Sequence, residues 1–233
     1  MKKSDQDHFT ETHHAMLFAW TAREIIHRLG QDNGELIILR AVRRYGEQRG
    51  RRMALRAKAD NQDLSMANFL VYGEWKPTKQ EEVQHQRIEE SSDIRVLITQ
   101  CPWNNAWTEN NLILYGRLYC QEIDRALVRG FNPKLNIEVD KTLTNDDEPC
   151  EFVFHDANLF SPNTVDAKNS VMPWDYHCGH LVKTFSEILE EESGQEGHVI
   201  IQSALAEFGS LYGEDAVHKF VELLSINYNP LPK

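Results

Sequence analysis

The sequence predicts an α+β fold: a central ββ-α-ββ antiparallel sheet with a packed helix, flanked by N-terminal and C-terminal helical segments. Three observations predict it. Apolar residues recur at helical spacing before residue 75 and again after residue 175. Between those parts, two stretches alternate apolar and polar residues around turn residues, the mark of hairpins. One long amphipathic run separates the two hairpins. A chain of 233 residues, 41% of them hydrophobic, suits one domain with a proper core. The divisions expected within a single domain over 1–233 are a helical part over 10–75, an α/β core over 82–157 and a helical part over 175–228.

Residues 10–29 predict the first helix, with Ala15, Phe18, Ala22, Ile25, Ile26 and Leu29 on one face and Gly30 at its end. His13 and His14 lie on it; neighbours on a helix point to different faces, so both are expected on exposed surface. Residues 31–34, QDNG, predict a turn. A second helix follows over 35–58, with Leu36, Leu39, Val42, Met53 and Leu55 inside; its Gly46 and Gly50 mark either a close backbone approach or a kink. A short third helix over 64–72 ends before Lys76-Pro77. Residues 82–89 and 93–100 form the first hairpin around Ser91-Ser92, with Ile94, Val96 and Ile98 on its buried face. Pro102 ends the strand. Residues 107–129 predict one continuous helix stopped by Gly130. Its apolar stripe is Leu112, Tyr115, Tyr119, Ile123 and Leu127. The second hairpin pairs 135–143 with 150–156; Cys150, Phe152 and Phe154 share one face, and Glu151, Val153 and His155 the other. A loop over 158–173 leads to three helices over 175–192, 196–211 and 213–226.

The net charge of −11 argues against general nucleic-acid binding. Residues 40–58 depart from it with a net +7, leaving −18 for the rest. That helix either pairs with acidic surface elsewhere or presents arginines to an anionic small molecule or to RNA. No apolar run approaches the roughly 20 residues of a membrane span, and the N-terminal stretch MKKSDQDHF lacks the apolar segment of a signal peptide. A cytoplasmic protein with reduced thiols is expected. Its four cysteines then read as core residues, metal ligands or a nucleophile rather than disulfides.

Three of the cysteines fall between 101 and 150: one after a strand, one on the central helix, one at a strand start. A helix laid across two strands would bring Cys120 and Cys150 together. Arg117, Cys120 and Asp124 are spaced i, i+3 and i+7 along one helical face. Either Cys120 is a small buried hydrophobe and the charges meet surface partners, or the three act together. In the second case Arg117 lowers the thiol pKa or clamps a substrate carboxylate, and Asp124 holds a cationic group. Cys101 sits at a rim position suited to a pocket, and Trp103, Tyr115 and Tyr119 are candidate substrate-facing aromatics. In WDYHCGHL, His177 and His180 share a helical face, a spacing compatible with a metal or an acid–base pair. Asp175 caps that helix, and Cys178 points elsewhere. No Gly-rich phosphate loop, H-E-x-x-H or C-x-x-C is present, which disfavours nucleotide chemistry and a zinc ribbon.

The blocks CPWNNAW, YGRLYCQEIDRALVRGFNP, CEF and WDYHCGHL, with LRAVRRYGEQRGRRM and NFLVYGEW before them, resemble the L-2-amino-thiazoline-4-carboxylic acid hydrolase family over roughly 35–228. The resemblance implies a hydrolase that opens a cyclic isothiourea bearing a carboxylate, by carbon–sulfur cleavage, to N-carbamoyl-L-cysteine. It implies a small-molecule partner with a carboxylate and neither nucleic acid nor membrane; a homo-oligomer is left open. Cys120 or Cys101 would attack, His177 or His180 would move protons, Asp124 or Asp175 would bind the amidinium and Arg117 the carboxylate. The rival route uses a divalent metal whose bound water attacks, with His177, His180 and either a cysteine (Cys120 or Cys150) or Asp175 as candidate ligands. The middle of the chain is also similar, more loosely, to small-ligand sensor domains, some of which hold zinc. Cys120, Cys150 and Glu138 match that pattern, while Lys141 and Thr142 stand where its second hairpin cysteine would be. That similarity implies a non-catalytic sensor or metal-binding module as the alternative.

Overall fold

A computed structural model describes residues 9–158 and 170–232 of the protein. Most of the loop expected over 158–173, and the polar N-terminal stretch, lie outside the described residues. The helical part comprises α1 (Glu11–Leu29), α2 (Gln31–Ala59) and α3 (Met66–Val71). The middle runs β1 (Gln84–Glu90), β2 (Asp93–Gln100), α4 (Pro102–Glu109), α5 (Ile113–Phe131), β3 (Ile137–Lys141) and β4 (Cys150–Phe154). The helices α6 (Trp174–Ser193), α7 (Gln195–Tyr212) and α8 (Glu214–Leu223) follow.

The four strands form one antiparallel sheet in the order β1-β2-β4-β3. Ile94, Val96 and Ile98 lie opposite Phe154, Phe152 and Cys150, and Ile137 and Val139 oppose Phe154 and Phe152 from the other side. Opposed residues share a face, so three strands present one apolar surface. Val128 and Phe131 of α5 and Met53 and Ala57 of α2 pack with it in a common core. The edge strand β1 is polar and mostly exposed; its charged side chains guard the open edge against pairing with another chain. A second core gathers α1, α2, α4, α5, α6 and α7 around Phe18, Trp107, Phe185 and Phe208.

Two glycine contacts clamp α2 to α5. A Cβ at Gly50 would sit 2.1 Å from the Leu127 carbonyl oxygen, and one at Gly130 would sit 2.3 Å from that of Glu47. Gly46 and Gly50 therefore mark a close backbone approach, not a kink. This contact fixes which face of α2 looks toward the sheet.

Several expectations are corrected. Leu36 and Leu55 of α2 are not inside but 68% and 41% exposed. QDNG is not a turn but the first turn of α2: Gly30 alone, at φ 81°, makes the corner after α1. The central run is two helices, broken at Asn110-Asn111, where Asn111 adopts φ 57°. Asparagine tolerates that left-handed conformation. The break folds α4 back so that the Trp107 ring lies on Gly116, where a Cβ would stand 2.2 Å from it. Gly130 does not stop α5, which runs on to Phe131. His14 is not on the surface: it is 1% exposed, because α1 is wrapped on several sides by other helices. Asp175 does not cap α6; Pro173 holds that position, and the Asp175 carboxylate accepts a hydrogen bond from the Phe9 amide at 2.8 Å.

Candidate active site

A cavity of about 130 Å³ opens where α5 crosses the sheet, below the start of α4. Its walls carry Cys101, Cys120 and Cys150 together with Asp124, Tyr119 and Trp103. Arg49 from α2 and Trp75 close it on the other side. The helix across the strands thus brings Cys120 and Cys150 to one space, and Cys101 joins them because β2 ends at the cavity rim. Pro102 starts α4 at once after Cys101, as suits a residue without an N–H at the first helical position. The lining is mostly apolar, so a charge inside it interacts strongly with any other.

Burial pushes the Cys120 thiol well above its ordinary value and Cys150 up to about 11. Burial raises Cys101 too, but the backbone amides of Asn104 and Trp103 at the start of α4 pull against it. Asp124 is raised to about 6 by burial, opposed by the guanidiniums of Arg49 and Arg125. A carboxyl poised near neutrality among protonated thiols is suited to taking and returning a proton.

Behind Arg49 lies a buried ionic cluster. Arg52 grips Glu74 with two hydrogen bonds of 2.9 and 2.8 Å, and Arg56 adds a third at 2.6 Å. Arg49 approaches the same carboxylate at 3.5 Å. Burial opposes ionisation of Glu74, but Arg52 and Arg49 overcome it and hold the carboxyl at about 2. His177 donates from Nε2 to the Glu74 carbonyl at 2.9 Å; burial and Arg49 lower it to about 3. His180 donates to Gln48 Oε1 at 2.8 Å and receives Arg52 at 3.4 Å. His14 accepts from Trp103 Nε1 at 3.1 Å and reaches the Tyr45 hydroxyl at 3.1 Å. Burial holds both His14 and His180 well below the ordinary range, so these imidazoles stand neutral.

The candidates therefore separate. Cys101, Cys120, Asp124, Trp103, Tyr119 and Cys150 meet in one cavity. His177 and His180 belong to the ionic cluster instead, and His180 lines a different, polar cavity of about 110 Å³. Arg117 is exposed on a polar groove of about 310 Å³, on the far side of Cys120 and Thr142. Tyr115 packs beside the helical core, and Asp175 ties down Phe9. The proposed ligands His177, His180, Cys120 and Cys150 are thus split between two places. Among the described residues, no group of three or more His, Cys, Asp or Glu side chains is arranged to hold a metal ion.

The basic segment divides in the same way. Arg40 and Arg44 pair with Glu191, and Arg43 with Glu122, on the outside. Arg49, Arg52 and Arg56 turn inward. Neither Arg49 nor Glu74 stands out in the sequence, yet each leaves a trace. The three inward arginines repeat at helical spacing on the face that carries Met53, and Glu74 sits in the otherwise apolar block NFLVYGEW.

The model of the L-2-amino-thiazoline-4-carboxylic acid hydrolase family matches residues 10–154. That is well over half of the chain, and it includes the described cavity lining. The match ends before α6, so His177, His180 and Asp175 lie outside it. No curated relative and no solved structure matches the chain. The chain belongs to the L-2-amino-thiazoline-4-carboxylic acid hydrolase family and is a hydrolase acting on a small cyclic amidine or isothiourea ring.

Proposed function

We propose that the three-thiol cavity is the reaction centre, with Cys101 as nucleophile and Asp124 as the group that moves protons. The observation that carries this reading is a carboxyl at about 6 sharing an apolar cavity with three thiols. Cys101 is chosen over Cys120 because amide groups at the start of α4 favour its ionised form. The reaction converts a ring such as L-2-amino-thiazoline-4-carboxylate to N-carbamoyl-L-cysteine. The cationic amidinium enters beside Asp124 and makes the neighbouring thiol easier to ionise. Asp124 takes the Cys101 proton, and the thiolate attacks the amidine carbon. The tetrahedral adduct expels the ring sulfur, which leaves as a thiol with the proton from Asp124. The product stays attached to Cys101 through carbon. Water then adds to that carbon, giving a proton to Asp124, and the Cys101 thiolate departs. Its proton is restored, and the carbon becomes the urea carbonyl. Ring opening thus consumes one water and leaves the enzyme unchanged.

A single domain is supported by α5, whose residues enter both cores. Placement in the cytoplasm is supported by four free cysteines; no helix among the described residues is long and apolar enough to cross a membrane. The test follows thiol release from the thiazoline. Cys101→Ala is expected to lose at least about 100-fold in kcat/KM, and rapid quenching of the wild type should give a covalent adduct that maps to Cys101. Wild-type turnover by Cys101→Ala would sink the proposal.

A further inference from the structure

We infer that Arg49 anchors a carboxylate of the substrate, which makes the cavity selective for small rings carrying an anionic group beside the cationic amidine. The inference rests on the cavity being the reaction centre. Arg49 is 5% exposed, yet it lines the cavity. Its Nε is buried and faces Glu74 Oε2 without completing a hydrogen bond. Its contact with Glu74, at 3.5 Å, is the loosest in the cluster. Glu74 is already committed to Arg52 through both oxygens and to Arg56. Three guanidiniums thus share one buried carboxylate, and the nearby imidazoles contribute no negative charge.

A buried guanidinium with donors to spare is costly unless an anion completes it. The anion beside it, Glu74, lies 3.5 Å from its Nε and is shared with Arg52 and Arg56. The Tyr45 ring lies under Arg49, with its centroid 5.4 Å from the guanidinium carbon. Asp124 is the acid on the cavity wall, and its own ionisation is opposed by burial. A ring that is cationic at one end and anionic at the other would set its amidinium against Asp124 and its carboxylate against Arg49. Arg117, the arginine that the helix spacing favours for this task, faces the outer groove instead.

The experiment compares kcat/KM for 2-amino-thiazoline-4-carboxylate and for the same ring without its carboxylate. It also compares inhibition by thiazolidine-4-carboxylate and by thiazolidine. Wild type should prefer the carboxylate-bearing member of each pair. Arg49→Gln should lose about 10- to 100-fold on the carboxylate ring, mainly through KM, and should shrink both preferences. Arg49→Lys should recover part of the preference, since it restores the charge but not the fork. If Arg49→Gln does not fold, Arg49→Lys and the wild-type inhibition pair decide. Equal inhibition by the two thiazolidines, unchanged preference in the Arg49 variants, or transfer of the effect to Arg117→Ala would overturn the assignment. A failure of the thiol chemistry would show separately, as turnover retained by Cys101→Ala on both rings.

Discussion

Replacing Glu74 by glutamine should destabilise the fold far more than a surface charge change does. Glu74 and Arg52 are both fully buried, and Arg49 and Arg56 close on the same carboxylate. In the open chain the carboxyl has its ordinary value of 4.5; in the fold it is held at about 2. That difference corresponds to about 3 kcal/mol in favour of the folded state when the group is ionised. Removing one partner of a buried ion pair costs a similar amount, about 3–5 kcal/mol, because the remaining charges are left uncompensated. Urea denaturation at pH 7 should therefore show Glu74→Gln less stable by about 3 kcal/mol or more. The pH dependence has a definite sign. The folded pKa is depressed, so the contribution is complete above pH 4.5 and fades as pH falls toward 2. The gap between wild type and variant should narrow over that window. A loss below about 1 kcal/mol at pH 7, the scale of an exposed pair, would refute the account of the cluster as a buried, Arg-clamped carboxylate.

Two further outcomes follow from the helix contact and from the cavity. Gly50→Ala places a methyl group against the Leu127 carbonyl and the Phe131 amide, both backbone atoms. The helices must separate, at about 3 kcal/mol or more, which thermal unfolding should register as a fall of roughly 6–12 °C; an unchanged melting temperature would contradict the close approach. Asp124→Asn should lower kcat/KM by about 10²- to 10⁴-fold and remove the rise in activity through pH 6 that a base at that value produces. The same variant should melt higher than wild type at pH 7, since burial disfavours the ionised carboxylate, and no higher below pH 3.8. A profile that keeps its acid limb in the variant would assign that limb to another group.

Much of the fold was legible because its signals are local. Helical spacing found α1, α6 and α7, and strand alternation found β2 and β4 with the correct inward faces, since Ile94, Val96 and Ile98 do pair with Phe154, Phe152 and Cys150. The errors came where a local signal had two meanings. Asn110-Asn111 is tolerable inside a helix and also able to break one, and the seating of Trp107 on Gly116 decides for the break. Adjacent His13 and His14 look like solvent-facing residues until neighbouring helices bury His14 and half-bury His13 against Tyr212.

The sequence by itself determined the family, the α+β class and the presence of Cys101, Cys120 and Asp124 as chemically apt residues, because composition, periodicity and motif order are properties of neighbours along the chain. The tertiary structure alone decided which apt residues meet. It gathered three thiols and Asp124 in one cavity and set His177 and His180 against Glu74 and Arg52. It also turned Arg49 inward while Arg117 stayed exposed. The physical reason is that burial and charge pairing depend on which helix faces touch. Here the glycine contact between α2 and α5 fixes those faces across some 80 residues of chain, a distance over which no local pattern carries information.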